Sequence, residues 1–175
     1  PLTLTEPEAG PESDAPDAGV VAALNRRPAI VYFGGHGSRF VWELGDPGDP
    51  RPASFFDLED VSRLDPTVRQ PVVLSMACAT APFDHPSADS LGEVMVLSGE
   101  RGAVAFIGAS SPLYTPPRFG ESLVRALLAE ETLGEAVVAA KRHTRRLEVS
   151  HLYSLLGDPG LPLSPQHPGA GPDQK

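Results

Sequence analysis

Three segments of this 175-residue chain are apolar at nearly every position. They read AIVYF at 29–33, PVVLSMA at 71–77 and GAVAFIGA at 102–109. A strand that is wetted on one face alternates apolar and polar residues, whereas a strand that is covered on both faces is apolar throughout. Because segments with helix signals separate the three, the pattern predicts an α/β fold with a mostly parallel sheet flanked by helices.

Four other segments carry helix signals: AGVVAALNRR at 18–27, SFFDLEDVSRL at 54–64, ADSLGEVMVLS at 88–98 and TLGEAVVAAKRHTRRL at 132–147. The first follows Asp17, a residue type that caps helices. The third is expected to begin near Asp89 or Ser90 and to direct Leu91, Val94, Met95 and Leu97 toward the sheet. The fourth opens with a threonine and a glutamate at capping-box spacing and ends in basic residues, as the helix dipole favours.

The composition limits the class of protein. A content of 41% hydrophobic and 21% charged residues fits an ordinary globular domain, and the sequence has no run of eighteen apolar residues that would predict a membrane span. The N-terminus lacks the basic-then-apolar order of a secretion signal. The net charge of -9 repels phosphate backbones, so nucleic acid is not an expected partner.

The two ends of the chain differ from its middle. Residues 1–17 are rich in proline and acidic side chains, and residues 164–175 are equally poor in groups that can bury area. We therefore predict a loose N-terminal segment, a compact domain over 18–163 and a disordered tail. The stretch at 44–52, LGDPGDPRP, is typical of a loop.

Two chemically capable residues follow two of the apolar strands. His36 lies in VYFGGHGS, and Cys78, the single cysteine, lies in VVLSMACAT. Ligand sites of parallel α/β sheets gather outside the carboxyl ends of the strands. An imidazole within reach of a thiol can remove its proton or pair with the thiolate. The glycines at 34, 35 and 37 are expected to free the backbone around His36 and to let it approach a substrate.

Each residue also has a simpler interpretation. A single cysteine at a strand end is commonly a packed hydrophobic group, and a histidine among glycines is commonly a loop residue. His85 with Asp84 and Asp89 would suit a metal, but these residues beside prolines are more typical of a solvated turn. No metal ligand is therefore assigned.

Five blocks resemble, in order, those of the gingipain-type cysteine peptidases, which are relatives of the caspases. They are LNRRPAIVYFGGHGS, FFDLEDVSRL, PVVLSMACATAPFD, DSLGEVMVLSGERGAVAFIGAS and YSLLGDPGLPL, together spanning about 20–163. The resemblance implies a caspase-like α/β sandwich and hydrolysis of peptide bonds in a protein or peptide substrate by a Cys/His dyad. The first and third blocks are shared with separase-like and CHAT domains, so such a relative stays open, as does a catalytically silent scaffold or partner-binding domain.

The resemblance also assigns roles by position. His36 would be the catalytic histidine and Cys78 the nucleophile, with the backbone amides of Gly37 and Cys78 forming the oxyanion hole. Met76 and Tyr114 would line the primary specificity pocket. No cofactor is implied, although some relatives bind calcium. Relatives of this type favour a secreted or cell-envelope location, and a cytoplasmic one stays open.

Two departures from the family pattern bear on function. Many relatives have a Thr-Gly pair after the cysteine where this chain reads ATAPF. The catalytic region of the family also begins well upstream of its histidine, with strands that 35 residues cannot contain. The resemblance therefore implies that an upstream segment or another chain completes the domain.

Overall fold

The computed structural model describes residues 16–44, 53–113 and 116–163. The strands within these ranges are β1 (Ile30–Gly34), β2 (His36–Ser38), β3 (Val41–Leu44), β4 (Ala53–Asp57), β5 (Val72–Met76), β6 (Ala105–Ala109) and β7 (Tyr153–Gly157). The helices are α1 (Pro16–Asn25), α2 (Leu58–Ser62), α3 (Leu91–Leu97), α4 (Pro117–Leu127), α5 (Leu133–Thr144) and α6 (Leu147–Leu152).

The three apolar segments form three adjacent strands of one sheet, whose strand order is β1-β5-β6-β7, with β1 at its edge. Strands β1, β5 and β6 are parallel, and β7 joins β6 in the antiparallel sense. Every residue of β5 and β6 is buried, as predicted for strands covered on both faces. The same prediction is wrong for β1, of whose residues only Phe33 is buried, because β1 lies at the edge of the described sheet. The predicted α/β class with a mostly parallel sheet is confirmed.

A second sheet was not predicted from the sequence. Strands β2, β3 and β4 form an antiparallel sheet in that order. Trp42 of β3 is almost wholly buried and packs on aromatic rings from both sheets. Its ring centroid lies 4.6 Å from that of Phe33, 5.3 Å from that of Phe56 and 6.3 Å from that of Phe106. Stacking of this kind adds to the area that the rings bury.

The expectation of one helix over 54–64 is wrong for its first part. Residues up to Asp57 belong to β4, because the aromatic pair at 55–56 suits a strand and pairs with β3. The helical part of this segment begins with a capping box. The carboxylate of Asp57 accepts hydrogen bonds from the amides of Glu59 and Asp60, and the Asp60 carboxylate accepts one from the Asp57 amide. The short helix α2 begins immediately after this cap.

Two of the other predicted helices begin where the sequence indicates. α5 is capped by Thr132 through the predicted capping box, and α3 is capped by Ser90 through a capping box that was not predicted. The helices α4 and α6 were not predicted from the sequence. α1, however, already begins at Pro16, so Asp17 is not its cap. The expectation that Leu97 faces the sheet is also wrong, since 72% of it is exposed. Position 97 lies half a turn from the buried Met95 and therefore points to solvent.

Contacts group the described residues into two compact units. One comprises 16–113, apart from 45–52, with 151–157, and it holds both sheets. The other comprises 116–150 and 158–163, where α4 packs on α5 through buried residues: Phe119, Leu123, Leu127, Leu133, Ala136 and Ala140. A single domain over 18–163 stays a prediction. The ends at 1–15 and 164–175, predicted to be loose, lie outside the described residues, as does most of the predicted loop at 44–52.

Within the described ranges, every helix is too short or too polar to cross a membrane.

Candidate active site

His36 and Cys78 follow neighbouring parallel strands at the same offset. In the pairing of β1 with β5, Gly34 lies opposite Met76. His36 comes two residues after Gly34, and Cys78 comes two residues after Met76. Both residues therefore lie beyond the carboxyl edge of the sheet, where ligand sites of such sheets gather.

A direct contact joins the segment that carries the histidine to the segment that carries the cysteine. A β-carbon placed on Gly37 would lie 2.8 Å from Cγ2 of Thr80 and 3.0 Å from Cβ of Ala77. The first distance is shorter than carbon atoms tolerate, and the second would require a small shift of Ala77. Gly37 thus packs against residues on either side of Cys78, and the missing side chain is what permits this approach.

The prediction that the glycines at 34, 35 and 37 give the backbone around His36 special conformational freedom is wrong. The glycines with positive φ in the described ranges are Gly99, Gly102 and Gly157, and those at 34, 35 and 37 are not among them. The value of Gly37 lies instead in the space that it leaves for a neighbouring segment of the same chain.

The two candidate side chains differ in exposure. His36 is exposed at the start of β2, and Cys78 is half-buried with a free thiol. The Sγ atom of Cys78 donates a hydrogen bond to the carbonyl oxygen of Leu113 at 3.2 Å. The thiol is therefore held in place by the segment that follows β6. The pairing of this thiol with the imidazole stays a prediction.

The turn after Cys78 has an unusual backbone. Ala79 has a φ of 46°, in the left-handed region that costs a residue with a β-carbon about 1–2 kcal/mol. The flanking residues hold it there. The Thr80 carbonyl accepts from the Gly92 amide at 2.9 Å, and the Ala81 amide donates to the Ala109 carbonyl at 2.9 Å. The sequence ATAPF therefore forms a fixed turn without the glycine that many relatives have.

Sequence reasoning missed a buried polar chain beneath this turn. The indole Nε1 of Trp42 donates to Oγ of Ser75 at 2.9 Å, and that oxygen lies 2.8 Å from Oγ1 of Thr80. Both hydroxyl residues are fully buried. The available signal was Ser75 itself, a polar residue within a strand that is otherwise apolar.

The structure locates only one of the two residues predicted to line a specificity pocket. Met76 is buried at the end of β5, next to the candidate site, and its place in a specificity pocket stays a prediction. Tyr114 lies outside the described residues. The oxyanion hole formed by the amides of Gly37 and Cys78 also stays a prediction.

An ion pair links the β2–β3 turn to the loop after Cys78. The Arg39 guanidinium donates to the Asp84 carboxylate and to the Ala88 carbonyl oxygen, the latter at 3.2 Å. The Arg39 carbonyl oxygen accepts from the Leu91 amide at 2.7 Å. This turn lies three residues from His36, so these contacts also fix the strand that bears the histidine.

The same loop behaves as the turn that its prolines indicate. Nδ1 of His85 accepts from the Ser87 amide at 3.2 Å, and Asp84 is engaged by Arg39. Within the ranges that the structure describes, no three His, Cys, Asp or Glu residues form a group suited to a metal ion. Calcium binding stays an untested expectation from the family.

The Arg39–Asp84 pair predicts a pH-dependent stability. The hydrogen bond from Arg39 lowers the pKa of Asp84 below its ordinary value of 3.8. A lowered pKa means that the pair stabilises the folded state above pH 3.8 and that this stabilisation is lost as the pH falls through the lower, folded pKa. We expect Asp84→Asn to melt below the wild type at pH 6 and to converge with it in acid.

Thermal unfolding followed by circular dichroism from pH 2.5 to pH 7 measures this difference. Asp89→Asn, which neutralises an exposed carboxylate of the same loop, is the matched control and is expected to show a smaller difference at pH 6. A constant gap between the wild type and Asp84→Asn at every pH would contradict the role of the ion pair.

Comparison with known proteins identifies the family and the fold. The model of peptidase family C25 matches residues 4–164. The crystal structure of the Arg-specific cysteine proteinase gingipain R superposes with a TM-score of 0.68 at 20% identity, covering 86% of this chain and 37% of that one. The complex of the pro- and mature domains of RgpB from Porphyromonas gingivalis gives 0.66 at 18% identity, with coverage of 86% and 37%.

A third structure, described as a protease, gives a TM-score of 0.63 at 20% identity and covers 85% of this chain and 38% of the other. No curated protein matches the sequence. The chain thus spans less than two fifths of the length of these solved structures. The similarity in fold confirms the caspase-like α/β architecture, and the match over 4–164 shows that the chain belongs to peptidase family C25.

Proposed function

We propose that this chain carries the catalytic part of a cysteine endopeptidase, with Cys78 as the nucleophile and His36 as its base. Two observations support the proposal. His36 and Cys78 each lie two residues beyond the paired ends of β1 and β5, and Gly37 packs against Ala77 and Thr80, which lie on either side of Cys78. Membership of the peptidase family adds the reaction class.

The proposed reaction begins with proton transfer from the Cys78 thiol to the imidazole of His36. The thiolate attacks the scissile carbonyl carbon, and the carbonyl oxygen becomes an oxyanion that accepts hydrogen bonds from the amides of Gly37 and Cys78. Collapse of this intermediate breaks the carbon–nitrogen bond, and His36 gives its proton to the leaving amine.

The second half regenerates the enzyme. His36 takes a proton from water, and the resulting hydroxide attacks the thioester carbon. The carbon–sulfur bond breaks, the peptide acid leaves, and Cys78 recovers its proton. Each step requires imidazole and sulfur in one cleft, so the geometry around Gly37 decides the rate.

The contact between Cys78 and Leu113 has a consequence for the first step. A thiol donates its proton to the Leu113 carbonyl oxygen, whereas a thiolate has no proton to donate. Deprotonation by His36 therefore breaks this hydrogen bond. Binding of substrate would turn the sulfur from Leu113 toward the scissile carbonyl.

The partner that we propose is a further protein segment that completes the sheet. β1 stands at one end of the described strand order, and Tyr32 on it is 46% exposed. A strand at the end of a sheet offers unpaired amide and carbonyl groups to another strand. One similar structure is itself a complex of pro- and mature domains, which supports a docked segment as part of the functional protein.

Labelling with a thiol-directed peptidase probe tests the dyad. If His36 activates Cys78, we expect His36→Ala to slow labelling of the folded protein about tenfold, because an unassisted cysteine is only a few per cent thiolate near pH 7. His143→Ala, which removes another exposed histidine near the end of α5, is the matched control and should label at the wild-type rate.

Equal labelling of His36→Ala and the wild type would remove the dyad and leave the silent scaffold as the better description. Cys78→Ala checks that the label reports this site. If a peptide library is turned over by the chain together with a segment that completes the sheet, but not by the 175 residues alone, that segment is necessary for catalysis.

A further inference from the structure

A chain of hydrogen bonds crosses the apolar core directly below the candidate site. It runs from the Trp42 indole to Ser75 and from Ser75 to Thr80, over distances of 2.9 Å and 2.8 Å. The exposed fraction of these residues is 1%, 0% and 0%, respectively. Their neighbours along β5 and in the aromatic cluster are apolar, so the chain is the polar element in that region of the described structure.

Its two ends belong to the two halves of the candidate dyad. Trp42 lies opposite Gly37 in the pairing of β2 with β3, one residue from His36 along β2. Thr80 lies two residues after Cys78, and Ser75 lies three residues before it on β5. The chain therefore ties the sheet that carries the histidine to both sides of the segment that carries the cysteine.

Thr80 is fixed from three directions. Its hydroxyl lies against that of Ser75, its carbonyl accepts from the Gly92 amide, and its methyl group faces Gly37 closely enough to exclude a β-carbon there. A small movement of Thr80 would displace Gly37 and the turn after Cys78 together. Thr80 is thus the point at which the two halves of the site are set relative to each other.

The chemistry of the chain distinguishes it from apolar packing. An indole N–H can only donate, so Ser75 must accept from Trp42 and has its own proton left for Thr80. Directional bonds of this kind fix both distance and angle, whereas apolar contacts tolerate sliding. In a buried network every partner is needed, because a lone polar group left in the core is costly.

We propose that Trp42, Ser75 and Thr80 are positioning residues that set the geometry of His36 against Cys78. This inference rests on the proposed peptidase function. None of the three touches the reacting atoms, and they act through Gly37 and the turn after the cysteine. Misplacement of a reacting group by about 1 Å can lower the rate by two orders of magnitude. A hydrogen-bonded chain that fixes these positions would therefore have a large effect on catalysis.

A matched pair of variants separates the hydroxyl from the shape of the side chain. Thr80→Val keeps the branched shape and loses the hydroxyl, whereas Thr80→Ser keeps the hydroxyl and loses the methyl group. We expect Thr80→Val to slow probe labelling of Cys78 about fivefold and Thr80→Ser to stay within about twofold of the wild type.

The pH profile supplies a readout that a purely structural role would not move. With the dyad in place, labelling of the wild type exceeds that of His36→Ala most strongly near neutral pH, where an unpaired thiol is mostly protonated. The profile of Thr80→Val should approach that of His36→Ala. Its melting temperature, and its alkylation by iodoacetamide in urea, show whether the fold and the thiol are otherwise intact.

Trp42→Phe is the second variant, since it removes the indole donor and keeps an aromatic ring in the cluster. It should shift labelling in the same direction as Thr80→Val, and it decides the question should Thr80→Val fail to fold. Wild-type labelling in Trp42→Phe, or slower labelling in Thr80→Ser than in Thr80→Val, would overturn the positioning role.

The two proposals can fail separately. If His36→Ala slows labelling while Thr80→Val and Trp42→Phe do not, the dyad stands and the positioning proposal is wrong. If His36→Ala labels like the wild type, no dyad exists and the positioning proposal falls with it.

Discussion

Replacing Gly37 with alanine is expected to reduce labelling of Cys78 to the level of His36→Ala and to lower the free energy of unfolding by about 1–3 kcal/mol. The new β-carbon would lie 2.8 Å from the Thr80 methyl group, 3.0 Å from the Ala77 β-carbon and 3.2 Å from the Val41 carbonyl oxygen. Two of these neighbours cannot rotate away. The strand that bears the histidine must therefore move away from the turn that bears the cysteine.

The backbone of Gly37 makes this a clean steric test. Its φ is not in the left-handed region, so alanine can adopt the same backbone conformation and the whole effect comes from contact. Gly19→Ala is the matched control because a β-carbon there has nothing within 4 Å. In the exposed part of α1 it should leave labelling unchanged and stabilise the fold slightly, as alanine favours helix.

Chemical denaturation and probe labelling of the same preparations measure both effects. Normal labelling and stability in Gly37→Ala would mean that the two segments are not in contact in solution. The proposed active site would then lose its main geometric support.

Trp42→Ala is expected to lower the free energy of unfolding by about 3–5 kcal/mol. Trp42 is 1% exposed and packs on the rings of Phe33, Phe56 and Phe106, which come from β1, β4 and β6. Truncation leaves a cavity at the point where the two sheets meet, and β-strands of three to five residues cannot close around it. Ser75 also loses its indole donor.

Urea unfolding followed by far-ultraviolet circular dichroism measures this loss, since the variant no longer contains tryptophan. Leu97→Ala is the control, because it truncates a large apolar side chain that is 72% exposed and should change stability by less than about 0.5 kcal/mol. A loss below about 1 kcal/mol in Trp42→Ala would show that the second sheet is not anchored through this ring.

The three parallel strands could be predicted from local sequence, because 29–33, 71–77 and 102–109 are apolar at successive positions. That β5 and β6 are covered on both faces whereas β1 lies at the edge depends on the strand order, which the local sequence does not contain. The caps of α3 and α5 are also encoded by residues close together in the sequence. Ser90 and Thr132 bond to amides three residues away, so the sequence shows both members of each capping box.

The antiparallel sheet of β2, β3 and β4 has no comparable signature in the local sequence. β2 has three residues and β3 four, too few for a periodic pattern, and their stability comes from pairing and from Trp42. The aromatic pair at 55–56 therefore could not be recognised as part of a strand from the local sequence. Which of the two structures 54–57 adopts depends on whether β3 is available as a partner, and local sequence does not contain that information.

The candidate site divides along the same line. The proposed chemistry could be predicted from the sequence alone, since His36 and Cys78 each follow a strand of a parallel sheet, and the carboxyl ends of such strands share one edge. Only the tertiary structure shows which neighbours leave no room for a side chain at position 37 and which hydrogen bonds connect the segments of the candidate site. The contact of Gly37 with Thr80 and the bond from Trp42 to Ser75 join residues 43 and 33 positions apart. Contacts over such separations arise only when the backbone folds, because no local periodicity or spacing encodes them.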